Sequence, residues 1–332
     1  MAESNGNVLQ STTSTLTWAD RWDHLLARWA IDRSGHRVEP GLYALGHPTP
    51  ASPVFVTANY SLSFDALRSA LTGIAGYILV LDTQGINVWC AAGKGTFGTD
   101  KLVRRIEATA LRDVINHRVL ILPQLGAPGV AAHEVTKRTK FKVEYGPVRA
   151  EDLPAYLQTR QATSEMRRVH FPLRDRIVLI PVELVFVLMP MLIAAIAVYF
   201  IGGLNGAAAV VAAMLAGTVL FPILLPWLPT RDFSSKGFIL GVVVALPFVL
   251  AVFLGNSNSA MWLRVLGALT WVLALPPVTA YLALNFTGST TFTSRTGVRR
   301  EMFKYIPVMA WTFGGGIALT IALATLRILG GF

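Results

Sequence analysis

The chain has 332 residues, of which 53% are hydrophobic and 14% are charged, and its mean hydropathy is +0.51. This apolar composition excludes an ordinary soluble domain and predicts membrane segments. A formal net charge of +10 is a feature of many nucleic-acid-binding proteins, but the basic residues form no concentrated patch along the sequence, so we expect no nucleic-acid partner. The single cysteine excludes an intramolecular disulfide.

The N-terminal region changes character at about residue 16. Residues 1–16 are rich in Ser, Thr and Asn and carry no export signal, so we expect them to be disordered. Residues 16–31 predict an amphipathic helix, because Trp18, Trp22 and Trp29 recur at helical spacing among charged residues. Packing of this helix against the following domain is favoured over a position on the membrane surface, although interfacial helices also use tryptophan.

From residue 53 the sequence alternates between strand-like and helix-like segments. The alternation predicts an α/β domain with a mostly parallel sheet within residues 17–163. The predicted strands are 53–58, 77–82, 118–123 and 140–145, and the predicted helices are 64–72, 99–111, 129–138 and 151–158. Ligands of such sheets bind beyond the carboxyl ends of the strands. We therefore expect the segments that end or follow the first three strands, at residues 57–59, 83–94 and 124–129, to meet in one crevice.

Long apolar runs follow a linker at residues 164–176, and each is near the ~20 residues that cross a bilayer. They predict an all-α transmembrane domain of five helices over residues 177–332, with spans at about 177–201, 206–228, 237–254, 261–285 and 305–329. The connections after the first and third spans carry no charge, whereas those after the second and fourth carry basic residues. The positive-inside rule then predicts a multi-pass protein of the cytoplasmic membrane, with the N-terminal domain in the cytoplasm and the C-terminus outside.

Cys90 lies in a short, glycine-flanked segment after the second predicted strand. A lone thiol can ligate a metal, attack an electrophile or serve as an inert, small apolar group, and free cysteine is often buried. The small residues around Cys90 allow a large planar ligand to approach the backbone. One cysteine cannot form an iron–sulfur cluster and the histidines show no zinc spacing, so we expect neither group in this chain.

Residues 87–94 read Asn-Val-Trp-Cys-Ala-Ala-Gly-Lys. This octapeptide resembles the cap-helix motif of the corrinoid protein family of mercury methylation, the HgcA family. The likeness covers nearly everything from about residue 50 to the C-terminus, including the segments at 57–60, 80–83, 93–98, 122–129, 145–150 and 285–290. A more distant likeness is to the corrinoid iron–sulfur protein of the acetyl-CoA pathway, which has a similar cap segment without the cysteine.

The resemblance implies an α/β corrinoid-binding domain with a cobalamin-type cofactor at the strand-end loops. It also implies that the Cys90 thiolate is the lower axial ligand of the cobalt, which makes Cys90 the expected catalytic residue. The expected cofactor-binding residues are Thr57, Asn59, Asn87, Val88, Trp89, Cys90, Ala91, Ala92, Gly93, Lys94, Gly95, Gln124, Gly126, Pro128 and Gly129.

A thiolate ligand donates electron density strongly, and this favours transfer of the opposite methyl group, with its bonding electrons, to an electrophile. The main hypothesis is a membrane-anchored corrinoid methyltransferase that passes a methyl group from cobalt to Hg(II), forming methylmercury. The resemblance further implies a ferredoxin-like iron–sulfur protein as electron donor and a folate-linked methyl donor. The alternative is a corrinoid methyl carrier of one-carbon metabolism. A transporter with a soluble binding domain is a third hypothesis, which the scarcity of charge in the spans disfavours.

Overall fold

The computed structural model describes residues 9–32, 35–255, 260–290 and 292–329. The chain divides into two compact units, the first ending at His170 and the second beginning at Phe171. The first unit contains the strands and short helices, and the second contains long apolar helices.

The first unit is built on one mostly parallel sheet, which confirms the fold class predicted for this part of the chain. The strands are β1 (Gln10–Thr12), β2 (Leu42–Leu45), β3 (Val54–Ala58), β4 (Gly76–Leu81), β5 (Val119–Leu122) and β6 (Lys142–Tyr145). Their order in the sheet is β1-β2-β4-β3-β5-β6, and only the β2–β4 pair is antiparallel among the described strands.

Helices cover both faces of this sheet. The α-helices of the first unit are α1 (Trp18–Arg28), α2 (Ser61–Ala70), α3 (Val88–Lys94), α4 (Thr99–Ala108), α5 (Leu111–Val114), α6 (Ala132–Thr139) and α7 (Leu153–Thr159). Helices α3 to α6 pack into the core on one face, and α2 and α7 pack into the core on the other.

The central strands β3 and β4 are buried along their whole length. Their side chains alternate between the two cores: Val54 and Val56 face α3 to α6, whereas Phe55, Ile78 and Val80 face α2 and α7. A strand buried on both faces must be apolar at consecutive positions, and this is why both strands read as continuous apolar runs in the sequence.

The structure differs from expectation at the N-terminal end. Gln10–Thr12 lie in the segment for which composition predicts disorder, yet they form β1, which pairs in parallel with Tyr43–Leu45. The carbonyls of Thr13 and Thr15 accept hydrogen bonds from the Arg68 guanidinium, both at 2.8 Å. These long-range contacts order the segment, although its composition alone predicts disorder. Residues 1–8 lie outside the described residues.

Arg68 of α2 also joins α1 to α2. Its Nε donates to Asp65 Oδ1 at 2.6 Å and its Nη2 donates to Asp20 Oδ2 of α1 at 2.7 Å. His36 forms a second attachment, with Nδ1 at 2.7 Å from Asp23 Oδ1 of α1. Burial alone lowers the pKa of His36, but its hydrogen bonds to Asp23 and to the Ile31 carbonyl raise that pKa above its ordinary value.

Replacing Arg68 by Gln should loosen the attachment of β1 and α1 to the rest of the unit. The change leaves the buried carboxylate of Asp65 without its guanidinium, and removal of one partner of a buried ion pair costs about 3 kcal/mol or more. Hydrogen exchange should report faster exchange of the amides in residues 9–28. Exchange should be unaltered in Arg104→Gln, which removes an exposed arginine of α4; equal protection in both variants would contradict this role of Arg68.

The second unit consists of long apolar helices joined by short turns. Its helices are α8 (Leu173–Ile177), α9 (Ile180–Leu215), a π-helical turn (Ala216–Leu220), α10 (Phe221–Leu224), α11 (Phe233–Gly255), α12 (Met261–Asn285), a 3₁₀ turn (Phe286–Ser289) and α13 (Arg295–Ile328). Four segments among the described residues are long and apolar enough to cross a membrane: Leu173–Leu224, Phe233–Gly255, Met261–Ser289 and Thr296–Leu326.

The first of these segments, which ends at Leu224, contains the first predicted span and most of the second, predicted at about 206–228. Gly203 interrupts its helix with φ +63° and ψ −158°. A Cβ added at Gly206 would lie 2.9 Å from Val198 Cγ1, although residues eight apart in a straight helix are separated by about 12 Å. The chain therefore folds back at Gly203. The number of five membrane crossings stays a prediction, and the predicted connection at 255–259 falls largely outside the described residues.

Candidate functional site

The carboxyl ends of four neighbouring parallel strands share one edge of the sheet, in the order β4-β3-β5-β6. From β3 the chain continues to α2 on one face, whereas from β5 it continues to α6 on the opposite face. The connections thus diverge between β3 and β5. Such a switch point leaves a crevice at the carboxyl edge, where open α/β sheets bind their ligands.

Asn59, directly after β3, is hydrogen-bonded to the loop that follows β4. The side-chain oxygen of Asn59 accepts hydrogen bonds from the backbone N–H groups of Thr83 and Gly85, both at 3.0 Å. Asn59 is 2% exposed, so these bonds lie within the protein interior. Gly85 has φ +71°, a conformation that favours glycine, and it turns the chain toward α3.

Helix α3 is the predicted cap segment, and local interactions define both of its ends. Asn87 caps the start of the helix, because its side-chain oxygen accepts a hydrogen bond from the Cys90 N–H at 2.9 Å. Gly95 ends the helix in the left-handed conformation, with φ +83°. Val88 and Ala92 are buried in the core beneath the helix, together with Ala91.

The opposite face of α3 is open. Asn87, Gly93 and Lys94 are exposed and Cys90 is partly exposed, at positions three or four residues apart that share one side of the helix. A Cβ added at Gly93 would meet no atom within 4 Å. Cys90 therefore lies on a thin and accessible helix face, next to a position without a side chain. This surface can accommodate a broad, flat molecule, and the thiol is an effective ligand for a soft or borderline metal ion.

The loop after β5 packs closely against α3. It begins with a 3₁₀ turn at Gln124–Gly126, which contacts α3. A Cβ at Gly129 would lie 2.1 Å from the Phe97 carbonyl oxygen and 3.0 Å from Ala92 Cα, and one at Gly126 would lie 2.6 Å from the Phe97 ring. These two glycines therefore allow the loop and the cap segment to touch.

The three segments expected to converge are thus neighbours: α3 contacts the end of β3 and the loop after β5. The individual residues differ in accessibility. Gln124, Pro128 and Gly129 are exposed or partly exposed, as are Trp89 and Gly95. The Gln124 side-chain oxygen accepts a hydrogen bond from Arg167 at 3.0 Å.

Thr57, Asn59 and Gly126 are buried among protein groups instead. The structure gives Asn59 and Gly126 positioning roles that the sequence did not indicate. Direct contact of any of the predicted residues with a cofactor stays a prediction.

Phe97 and Thr99 complete the arrangement and were missed in the sequence. Phe97 is fully buried beside Gly126, and the Thr99 hydroxyl accepts a hydrogen bond from the Ala131 N–H at 2.9 Å. The Thr99 N–H donates to the Gly129 carbonyl at 3.2 Å. The only signal for these positions was their place in a glycine-rich segment directly after α3.

This part of the chain is similar to subunits of acetyl-CoA synthase and decarbonylase/synthase complexes. Residues 29–157 match the family model described as CO dehydrogenase/acetyl-CoA synthase delta subunit. The acetyl-CoA decarbonylase/synthase complex subunit gamma of Archaeoglobus fulgidus is 38% identical over 128 residues, and that of Methanopyrus kandleri is 34% identical over 128 residues; each match covers 38% of this chain and 27% of the relative. The subunit of Methanocaldococcus jannaschii is 36% identical over 97 residues, which cover 29% of this chain and 20% of the relative.

The chain spans about a quarter of the length of these curated relatives. The segment matched by the family model contains β2 to β6, α3 and all three strand-end loops, and it ends before the helical unit. These comparisons agree with the more distant of the two resemblances, the one to the acetyl-CoA pathway. The closer likeness to the mercury-methylation family rests on the sequence motifs alone.

Replacing Gly129 by Ala should separate the β5 loop from α3. The added methyl group would overlap the Phe97 carbonyl oxygen and crowd Ala92, so the backbone must shift, at a cost of about 1–3 kcal/mol. Hydrogen exchange in residues 88–99 should be faster than in the wild-type protein. Gly93→Ala is the matched control, because its methyl group enters open space on the same helix; the account fails if the two variants exchange alike.

Proposed function

We propose that the first unit binds a corrinoid at the carboxyl edge of β3, β4 and β5 and acts in methyl transfer. The observation that carries the proposal is the position of Cys90 on the open face of α3, on the same side of the helix as Gly93. The match of residues 29–157 to an acetyl-CoA synthase subunit family supports it independently. The cap-helix resemblance supplies the cofactor class.

The residues present fit such a cofactor. Gly93 leaves the space that a macrocycle needs to approach the helix, and Cys90 provides one thiolate donor in the middle of that face. A bound corrinoid would supply a cobalt atom that can carry a methyl group. Cys90 would ligate that cobalt, while the Asn87 cap and the buried Val88 and Ala92 hold the helix that carries Cys90.

The comparisons favour a methyl acceptor that belongs to one-carbon metabolism. The relatives are named as subunits of an acetyl-CoA decarbonylase/synthase complex, and a methyl carrier in a related process would require protein partners. In this proposal a folate-linked system supplies the methyl group and a ferredoxin-like iron–sulfur protein supplies electrons.

Gly93→Leu provides a direct test of corrinoid binding. The leucine side chain enters open space, so the fold should be unchanged, but it occupies the face on which the corrinoid is proposed to lie. Equilibrium dialysis of the full chain with methylcobalamin should show at least a tenfold loss of affinity, which corresponds to about 1.4 kcal/mol. Glu107→Leu, an exposed substitution on α4, should bind normally. Equal binding by both variants would remove α3 from the site.

Hg(II) is a second candidate acceptor, and Cys90 is the observation that favours it. The more distant resemblance, to the corrinoid iron–sulfur protein of the acetyl-CoA pathway, implies a cap segment without this cysteine, so the thiol separates this chain from that motif. A thiolate ligand donates electron density toward the metal, and this donation favours release of a methyl group together with its bonding electrons. Hg(II) is an electrophile that accepts such a group, whereas a nucleophilic acceptor requires the opposite polarity.

The mercury proposal predicts that the position of the thiol matters, not only its presence. Cys90→Ala combined with His133→Cys keeps one thiol per chain but moves it to an exposed residue of α6. The wild-type chain loaded with methylcobalamin should form methylmercury from Hg(II) under anaerobic conditions above the free-cofactor background. The double variant should show only that background. Equal production by the two proteins would contradict a ligand role for Cys90.

We further propose that the second unit lies in the cytoplasmic membrane, with the first unit on the cytoplasmic side and the C-terminus outside. The long apolar helices support this, because many of their large apolar side chains are exposed on the outside of the unit, including Phe200, Leu254 and Trp311. Lipid is the environment in which such surfaces are stable. The orientation follows from the distribution of basic residues between the predicted spans.

A further inference from the structure

Helix α1 presents its apolar side chains to the outside. Trp18 is 83% exposed and Trp22 is 61% exposed, and Leu25 and Trp29 are each more than 40% exposed. None of the residues of α1 is buried, and none belongs to a core cluster of the first unit. A surface helix of a globular domain ordinarily turns its apolar stripe toward the core, so the orientation of α1 is inverted.

Polar contacts fix this inverted orientation. Asp20 forms an ion pair with Arg68 at 2.7 Å, and His24 Nε2 lies 2.7 Å from the Asp65 carboxylate. Asp23 accepts a hydrogen bond from the Ser61 hydroxyl at 2.5 Å, in addition to its contact with His36. Arg68, Asp65, Ser61 and His36 are themselves buried. Rotating α1 so that its apolar stripe faced the core would leave these buried groups without partners, which is costly.

The charge next to the apolar stripe indicates what covers it. Arg21 and Arg28 are both exposed and, at three residues after Trp18 and Leu25 respectively, lie along one side of the stripe. Tryptophan together with flanking arginine is the composition of helices that lie in the interface of a bilayer with anionic lipids. Each basic residue near such a surface contributes about 1 kcal/mol to binding.

The position of α1 in the chain agrees with a lipid partner. The segment that matches the acetyl-CoA synthase subunit family begins at residue 29, so α1 and the membrane-type helices both lie outside it. A short connection from α7, which ends at Thr159, to α8, which begins at Leu173, tethers the first unit to those helices. A tether of this length gives α1 a high effective concentration near any bilayer that holds the second unit.

We propose that α1 binds an anionic bilayer surface, with Trp18, Trp22, Leu25 and Trp29 at the boundary between headgroups and acyl chains. The helix would hold the first unit against the membrane through a second contact besides the chain connection. This inference rests on the proposed membrane position of the second unit, and it is independent of the proposed corrinoid.

The test measures the surroundings of α1 in the full chain within nanodiscs that contain anionic lipid. In a Cys90→Ser background, Leu25→Cys carries a nitroxide spin label, and its collision rates with oxygen and with a water-soluble nickel chelate are compared. His133→Cys provides a water-exposed control, and Phe313→Cys on α13 provides a control for the second unit in lipid.

The proposal expects a higher ratio of oxygen to nickel collisions at position 25 than at position 133. When Arg21 and Arg28 are both replaced by Gln, the ratio at position 25 should fall below its value with the two arginines present. A ratio at position 25 equal to that at position 133 would overturn it, as would a label shielded from both reagents, which would indicate a protein partner. If the ratio at position 313 also equals that of the water-exposed position 133, the proposed membrane position of the second unit fails. If only the ratio at position 25 equals it, the proposal for α1 fails and the membrane position of the second unit stands.

Discussion

The site depends on one buried carboxamide, that of Asn59, which joins the ends of two neighbouring strands. Asn59 follows β3, and its oxygen accepts hydrogen bonds from two backbone N–H groups in the loop after β4. Because both strands are buried and held in register, the path of this loop toward Asn87 is fixed, and Asn87 in turn caps α3. The glycines of the β5 loop then allow close packing from the other side. The result is a short helix supported from beneath and open above.

The sequence was most informative where local pattern and burial agree. The strands β3 to β6 and the helices between them were predicted within a few residues, because continuous apolar runs alternate with amphipathic ones. Strands β1 and β2 were missed because each is short, and β1 is ordered by pairing with β2 and by contacts to Arg68. The fold-back at Gly203, by contrast, lies between the first two spans predicted from the sequence, at about 177–201 and 206–228.

For the site, the convergence of the three loops was predictable from the rule that parallel strands end at one edge. The roles of single residues were not. Asparagine is a residue type that often binds ligands, yet the buried Asn59 bonds to backbone groups of the protein itself. Gly126 is required for packing against Phe97. Burial separates a residue that contacts a ligand from one that positions its neighbour, and burial depends on tertiary contacts. The orientation of α1 is a similar case, since its tryptophan spacing predicts a helix but not the direction that the apolar face takes.

The central claim is that the Cys90 thiolate binds cobalt on the open face of α3. Cobalt K-edge X-ray absorption of the full chain loaded with a corrinoid tests it most directly, because a sulfur scatterer in the first coordination shell is distinguishable from nitrogen or oxygen. The account predicts sulfur in the wild-type protein and its loss in Cys90→Ala. A first shell of nitrogen and oxygen only in the wild-type protein would contradict it.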